Sequence, residues 1–399
     1  MSTVSTVSGV EAAPVLHPVN KASSRLISLD VFRGTIVAGM LLVTNAGSWD
    51  HVYWPLKHAD WNGVTPTDMI FPSFLFLAGV SMVFSFAARR RKGISTGKLA
   101  AHVVWRSVSL IVLGLVLNGF PLFDLHPLRI PGILQRIGLC CLGAGLFYLA
   151  LPHEETKAGK RVATTLAAIV ALMVFYWALL RFVPVPGYGA GRLDQAGNLG
   201  AYIDRSLFGT NHLWFYGGQM WDPEGLLSTL TACCNMLLGI VAGEWLRREG
   251  APLRRLARMA GTGLLLMVVS LALNPVIPIN KKIWTDSFVL FSGGFSLLVV
   301  ALLSWVIDER GWKRGTTLAR IFGTNAILAF SLATMLNALE PLFHFTLGGK
   351  AETIREALFD GLARGLNPSS ASLGYALLFV VLNLAIVGLF YRKKIFLRL

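Results

Sequence analysis

The chain has 399 residues, of which 54% are hydrophobic and 14% charged, with a formal net charge of +15 and a mean hydropathy of +0.60. Soluble globular domains carry about 25% charged residues, so this composition excludes an ordinary soluble enzyme and indicates a polytopic membrane protein. The positive charge does not indicate nucleic-acid binding, because the basic residues cluster between the apolar segments and follow the membrane.

Ten apolar segments are long enough to cross a bilayer, which takes about 20 mostly apolar residues. The sequence therefore predicts an all-α polytopic membrane protein with about ten transmembrane helices. The predicted spans are residues 27–46, 68–88, 102–120, 131–151, 162–183, 224–246, 258–276, 284–307, 318–339 and 372–391.

The distribution of Lys and Arg predicts the orientation. Of the 36 basic residues, 23 lie on the side that holds the N-terminus, ten lie on the other side, and Arg33, Arg106 and Arg136 lie within spans. By the positive-inside rule both termini are cytoplasmic, which agrees with an even number of spans. We expect a multi-pass protein of the cell's inner (plasma) membrane.

Residues 1–24 lack the basic start and apolar core of a signal peptide, and they are predicted to form a disordered cytoplasmic tail. Residues 25–399 are predicted to form a single transmembrane domain. It carries a long outward loop at 184–222 and an outward amphipathic helix at 351–366. The four cysteines form two adjacent pairs inside predicted helices, and no metal-binding spacing is present.

The first span places Asp30 and Arg33 three residues apart near its cytoplasmic end. Residues at i and i+3 share a helix face, so the simpler interpretation is a local ion pair. In the alternative interpretation, Arg33 binds a phosphate-bearing ligand from the cytoplasm, since a guanidinium group suits bidentate phosphate contacts.

The outward connection between the first two spans, within residues 45–76, is too polar for a passive connector. An imidazole titrates near pH 6.5, so His58 is a candidate general base, and Asp60 or Asp68 could fix its tautomer and raise its basicity. A structural role for a lone histidine competes with this interpretation. Asp68 also stands at the start of the second span, where capping the helix is the alternative to catalysis.

Gln135 and Arg136 fall within the first two turns of the fourth span, below the outer surface. A buried arginine there is costly unless an anion or a carbonyl group meets it, so both residues are site candidates. Farther along, the long outward loop holds an aromatic cluster that suits either membrane-interface anchoring or stacking on a sugar, namely Trp214, Phe215, Tyr216 and Trp221.

Two classes of function fit this pattern. In a membrane enzyme, His58 would be a general base near the outer face. In a proton-coupled transporter of a sugar or small metabolite, the same His and Asp residues would couple protons or recognise substrate; the repeats and broken helices common in transporters are not evident.

Several segments, taken in order, resemble the heparan-alpha-glucosaminide N-acetyltransferase family within the wider group of membrane acyltransferases. The resemblance runs from about residue 25 to the C-terminus. It implies a transmembrane acyltransferase domain that transfers an acetyl group from cytoplasmic acetyl-CoA to the amine of a terminal glucosamine on the far side. In a bacterial relative the acceptor would lie in the periplasm or outside, and heparan sulfate itself is not expected as the substrate. The segments are RLISLDVFRG, KHADWNGVTPTDMIFPSFLFLAGVS, RIPGILQRIG, DPEGLLSTL, NKKIWTDSFVL and FGTNAI.

The family's active-site histidine matches His58, and its functional asparagine and aspartate match Asn45 and Asp68. In the resulting hypothesis, His58 takes the proton of the attacking amine, Asn45 orients the acceptor or steadies the thioester oxygen, and Asp68 holds His58. Direct attack is favoured over an acetyl-histidine intermediate, although the sequence does not decide between them.

Acetyl-CoA is expected as the co-substrate, with its phosphates near Arg33 and Arg106 and no metal ion. The expected partners are an amino-sugar or glycan acceptor and the lipid bilayer, without nucleic acid, and a homodimer is one oligomeric state that the sequence leaves open. The residues expected to bind the acceptor are Trp61, Asn62, Gln135, Arg136 and Glu224.

Overall fold

The computed structural model describes residues 26–248, 250–347 and 350–397. The predicted tail at 1–24 lies outside these residues. The described chain is almost entirely helical, with one antiparallel hairpin that pairs β1, His344–Leu347, with β2, Lys350–Thr353. The helices are α1 Ile27–Val43, α2 Ile70–Arg91, α3 Thr96–Gly119, α4 Ile133–Ala150, α5 Ala158–Phe182, α6 Leu199–Phe208, α7 Thr229–Arg247, α8 Pro252–Leu273, α9 Asp286–Leu303, α10 Thr316–Thr324, α11 Ala326–Leu339, α12 Ile354–Ala363 and α13 Pro368–Arg392.

The predicted all-α polytopic membrane fold is confirmed. Within the described residues, eight helices are long and apolar enough to cross a membrane, and the bent pair α10–α11 makes a ninth. The remaining predicted span corresponds to α1, whose 17 residues extend about 26 Å at 1.5 Å per residue. Each predicted span therefore overlaps a helix.

The ninth span is broken rather than continuous as predicted. Its two halves meet at an angle of 80°, and Asn325 between them has a non-helical backbone, with φ −126° and ψ 39°. The Asn325 side chain donates to the carbonyl of Ile395 at 3.0 Å and accepts from the amide of Leu397 at 3.2 Å. The break therefore ties the C-terminal residues into the helix bundle.

Glycines allow the helices that flank the site to pack closely. A Cβ atom on Gly323 would lie 2.0 Å from the carbonyl oxygen of Asp30, so α10 can approach α1 only with glycine there. In the same way, a Cβ atom on Gly79 would lie 2.0 Å from the carbonyl oxygen of Met236, where α2 meets α7. Small residues at such crossings are the usual basis of close helix packing in membranes.

The two predicted outward features contain more regular structure than expected. The segment 184–222 contains α6, which begins with Asn198 accepting a hydrogen bond from the Ala201 amide at 2.8 Å. In the segment 351–366, the helix begins at Ile354 rather than at 351 and ends at Ala363. The preceding residues pair in the β hairpin, and a capping box between Thr353 and Glu356 starts α12.

Candidate active site

His58 and Asp68 form the centre of the candidate site. Nδ1 of His58 lies 2.7 Å from Oδ1 of Asp68, and the His58 side chain is 39% exposed whereas that of Asp68 is 1% exposed. A carboxylate can only accept, so Nδ1 carries the proton and Nε2 is left as the basic nitrogen. The geometry thus holds the imidazole in the tautomer that a general base requires.

Asp68 also caps the turn that leads into the second membrane helix. It can do both because Oδ1 contacts His58 and Oδ2 is left for the cap. Oδ2 accepts from the amide of Thr65 at 3.0 Å, from the Thr65 hydroxyl at 3.0 Å and from the amide of Ala59 at 3.2 Å. Thr65 and Asp68 form a capping box at the 3₁₀ turn Pro66–Met69 that leads into α2. Capping and contact with His58, which were alternatives in the sequence, are therefore both present.

Lys281, from the turn between α8 and α9, completes this cluster. Its Nζ lies 3.0 Å from Nδ1 and 3.4 Å from Nε2 of His58, and 3.5 Å from Oδ1 of Asp68. Burial, and then the charge of Lys281, hold the pKa of His58 below its ordinary value, although Asp68 acts in the opposite direction. Burial likewise lowers the pKa of Lys281 to about 8. His58 is therefore neutral at neutral pH.

Glu224 adds a carboxylate that neighbouring arginines hold in the ionised form. Arg129 donates to Oε2 of Glu224 at 2.5 Å and binds both oxygens of Asp222, at 2.6 and 2.8 Å. Burial alone would raise the pKa of Glu224, but Arg129 and Arg136 together keep it below its ordinary value. Glu224 is thus a charged group with a fixed position.

A single cavity of about 460 Å³ joins these residues to the other side of the bundle. We call the part lined by His58, Thr67, Glu224 and Lys281 the His58 end. The cavity follows α2 from Ile70 to Arg89, a separation of 19 residues or about 29 Å, close to the thickness of the hydrocarbon core. Its middle is apolar, with Phe71, Phe74, Leu110, Ile137, Ala326 and Phe330 in the wall.

The opposite part, which we call the Arg33 end, is lined by Arg33, Ser81, Arg89, His102 and Arg106. Arg33 donates to the Ser81 hydroxyl at 2.5 Å and to the Gly323 carbonyl at 3.3 Å, and it lies 3.6 Å from Oδ1 of Asp30. Arg33 therefore pairs with Asp30 and lines the cavity at the same time, so the ion pair does not prevent it from facing a ligand.

Arg106 differs from Arg33 in its bonding. Its buried Nε has no hydrogen-bond partner among the described residues, although the side chain lines the cavity. An unpaired buried donor is costly, so this atom is available to an anionic ligand.

Asn45 is not brought to the cavity. It is fully buried, its Nδ2 donates to the Leu41 carbonyl at 2.6 Å and to the Thr44 hydroxyl at 3.1 Å, and it is absent from the cavity wall. Its position just beyond the C-terminal end of α1 indicates a role in shaping the connection that carries His58.

Gln135 and Arg136 are also used in packing. Gln135 donates to the Ile130 carbonyl at 3.1 Å. Arg136 is 1% exposed, donates to the Gly225 carbonyl at 3.0 Å and to the Ser228 hydroxyl, and lies 4.9 Å from the centre of the Trp284 ring. Neither side chain lines the cavity.

Trp61 and Asn62 lie in the connection that carries His58 but outside the cavity wall. The indole of Trp61 donates to the Leu193 carbonyl at 2.9 Å and packs edge-on against Trp221, with ring centres 5.1 Å apart. Oδ1 of Asn62 accepts from the amide group of Asn280 at 3.1 Å. Both residues therefore join His58's connection to other outward segments.

The structure adds side chains that were not among the predicted site residues. His102 stands one helical turn before Arg106, a spacing that would have revealed a shared face. Arg89 belongs to a run of four basic residues, which by itself indicates only the orientation in the membrane. Lys281 lies in a short polar turn between apolar helices.

Comparison with known proteins shows which family the chain resembles. Residues 25–186 match the family model described as "Heparan-alpha-glucosaminide N-acetyltransferase, catalytic". The chain is 31% identical to heparan-alpha-glucosaminide N-acetyltransferase of Homo sapiens, with 80% of this chain and 54% of the human protein covered, and 32% identical to that of Mus musculus, with 77% and 53% covered. The chain thus spans about half the length of these curated relatives.

Proposed function

Because the chain is a homologue of heparan-alpha-glucosaminide N-acetyltransferase, we propose that it is an acetyltransferase embedded in the inner (plasma) membrane. In this proposal it moves an acetyl group from cytoplasmic acetyl-CoA to the amine of a terminal glucosamine or related amino sugar on the outer side. The observation that carries the proposal is the single cavity with arginines at one end and the His58–Asp68 pair at the other.

The Arg33 end suits the phosphates of CoA. Arg33, Arg89 and Arg106 supply positive charge inside the membrane, and the buried Nε of Arg106 lacks a partner within the described chain. Guanidinium groups bind phosphates with two parallel hydrogen bonds. The apolar middle of the cavity suits the uncharged pantetheine chain, and the acetyl thioester supplies the activated acyl group.

His58 is suited to accept the proton of the attacking amine. Its Nδ1 faces Asp68, so Nε2 is its basic nitrogen, with Nζ of Lys281 3.4 Å away. Burial together with Lys281 keeps the imidazole unprotonated at neutral pH. Asp68 holds the ring in place, in the manner in which a carboxylate orients the histidine of a hydrolase triad. His58 is partly exposed, which leaves access for the acceptor.

Glu224 is the residue best suited to recognise the acceptor. Its carboxylate lines the cavity and is kept ionised by Arg129, so it can accept hydrogen bonds from an amine or a sugar hydroxyl. In this proposal Trp61, Asn62, Gln135 and Arg136 support the outer site through their contacts with neighbouring segments. Asn45 supports it by shaping the connection after α1.

The direct test uses purified protein with labelled acetyl-CoA and a panel of amino sugars. Wild-type protein is expected to form the N-acetyl sugar, and His58→Ala is expected to abolish this. His51→Ala is the matched control, because His51 lies in the same connection but stacks on Phe359, with ring centres 6.4 Å apart, and does not line the cavity. Undiminished transfer by His58→Ala would contradict the assignment of His58.

One observation favours the alternative, a proton-coupled transporter of a sugar or small metabolite. Broken helices are common in secondary transporters, and the α10–α11 span is broken at Asn325. Binding of CoA distinguishes the two functions. A ligand present at 100 times its Kd stabilises a protein by about 2.7 kcal/mol, so CoA should raise the Tm of the enzyme; a porter without a CoA site would show no change.

A further inference from the structure

We infer that Lys281 is a second functional side chain of the proposed active site, where its ammonium ion lies beside His58 and stabilises the negative charge that develops on the thioester oxygen. The inference rests on the proposed function. It also rests on geometry that is independent of the family comparison.

Lys281 is placed to act on both reacting groups. Its Nζ lies 3.4 Å from Nε2 of His58, the nitrogen that would take the amine's proton, and 3.0 Å from Nδ1. Its side chain is 13% exposed and lines the same cavity as His58. An acyl group that reaches His58 through this cavity therefore reaches the ammonium ion as well.

The charges around Lys281 come from two other segments and from its own turn. Asp68 at the start of the second span and Glu224 before α7 raise the pKa of Lys281. Burial, which has the largest effect, and the charge of neighbouring Lys282 lower it. Asp60 in turn raises the pKa of Lys282. Burial lowers the pKa of Lys281 to about 8, so Lys281 is charged at neutral pH and loses its proton on the alkaline side.

The turn that carries Lys281 is fastened to the connection that carries His58. The Gly63 amide donates to the Ile279 carbonyl at 2.7 Å, and the Asn280 side chain donates to that of Asn62 at 3.1 Å. Within the turn, the Ile283 amide donates to the Asn280 side chain at 3.0 Å. Lys281 is therefore held in register with His58, which is the preorganisation that electrostatic catalysis requires.

The chain offers a matched control in the next residue. Lys282 carries the same side chain, but its Nζ lies over the rings of Trp214 and Trp221, 5.4 and 5.7 Å from their centres. It does not line the cavity. Its charge lowers the pKa of His58 less than that of Lys281 does.

In the proposed step, the acceptor nitrogen bonds to the acetyl carbonyl carbon while an electron pair moves onto the carbonyl oxygen, and Nε2 of His58 takes the nitrogen's proton. The oxygen, now negative, is the charge that Lys281 stabilises. The pair then returns to re-form the carbonyl, the carbon–sulfur bond breaks, and His58 gives its proton to the departing thiolate. The products are the N-acetyl sugar and CoA.

The first experiment compares the kinetics of Lys281→Met, Lys281→Arg and Lys282→Met with wild type. At pH 7, Lys281→Met should lower kcat about 10²-fold, the usual loss when one such donor is removed. Lys281→Arg should retain more activity and lose the alkaline fall near pH 8, because arginine stays charged. Lys282→Met should change kcat far less. Unchanged kcat in Lys281→Met would overturn the inference, and unchanged stabilisation by CoA excludes misfolding as the cause of a loss.

The second experiment measures His58 without relying on acetyl transfer. Diethyl pyrocarbonate reacts with neutral imidazole, so peptide mass spectrometry across a pH series reports the midpoint of His58 protonation. Loss of a neighbouring cation raises a histidine pKa, so Lys281→Met should react with a higher midpoint than wild type, and Lys282→Met should show a smaller rise. Equal midpoints in wild type and Lys281→Met would overturn the inference even if transfer occurs. Absence of transfer by wild type would instead overturn the proposed function and leave this midpoint test valid.

Discussion

The two ends of the cavity differ in how completely their polar groups are paired. At the His58 end, Asp68 contacts His58, Thr65, Ala59 and Lys281, and it is almost fully buried. At the Arg33 end, the Nε of Arg106 lacks a partner within the described chain. Full pairing suits residues that must hold one geometry during chemistry, whereas an unpaired donor suits a place that a ligand's phosphate completes. The comparison predicts that chemistry and donor binding can be separated by mutation.

The largest effect is expected from His58→Ala. Removal of a general base lowers kcat by about 10²- to 10⁴-fold, and the Kd for CoA should be unchanged because the phosphates are proposed to bind at the other end. Transfer assays and CoA titration of the same preparation check this. A loss of CoA affinity in His58→Ala as large as the loss of kcat would show that the two ends of the cavity do not act separately.

The next effect is expected from Asp68→Asn. The amide keeps the shape of the carboxylate but lacks its charge, so it orients His58 less well, and kcat should fall about 10²-fold. Asp68 also caps the turn before α2, so the free energy of unfolding should fall by about 1 kcal/mol. Thermal unfolding with and without CoA measures this loss of stability. A full loss of activity without any loss of stability would show that capping contributes nothing here.

A smaller effect, confined to binding, is expected from Arg106→Ala. Loss of one charged hydrogen bond should weaken CoA binding about tenfold, with kcat at saturating donor little changed. Arg91→Ala is the control, because Arg91 is an exposed arginine near the same side of the bundle that does not line the cavity. Equal losses in the two variants would indicate a general charge effect rather than a phosphate site.

The smallest kinetic effect is expected from Gln135→Ala. The Gln135 side chain donates to the Ile130 carbonyl outside the cavity, so the KM for the acceptor should stay within about twofold of wild type, and stability should fall by about 1 kcal/mol. Acceptor titration checks this expectation. A large rise in KM would restore Gln135 as an acceptor-binding residue and extend the site beyond the cavity.

The sequence could predict the features that depend on residues close together in the chain. Ten apolar segments are recognisable from their length and from the charged, Pro and Gly clusters between them, and His58 and Asp68 are only ten residues apart in one polar connection. The break at Asn325 was not predicted, since it depends on contacts with residues 395 and 397 that no local pattern reveals.

Lys281 could not be found in the same way. It is separated from His58 by 223 residues, and only the packing of the helices brings the two together. Arg136 shows the converse difficulty. A cation inside the membrane is a fair sign of function, but here the Gly225 carbonyl and the Ser228 hydroxyl bind Nη2 and the Trp284 ring lies against the guanidinium. Its buried Nε and Nη1 have no partner among the described residues, but the side chain does not line the cavity.

The contacts of Asn325 also affect the wall of the cavity at its Arg33 end. They hold residues 395 and 397 against the bundle, and Leu397 lines the cavity beside Gly323, whose carbonyl accepts from Arg33. Replacing Asn325 with Ala removes both contacts, so CoA titration of Asn325→Ala measures how far this segment shapes the Arg33 end of the cavity.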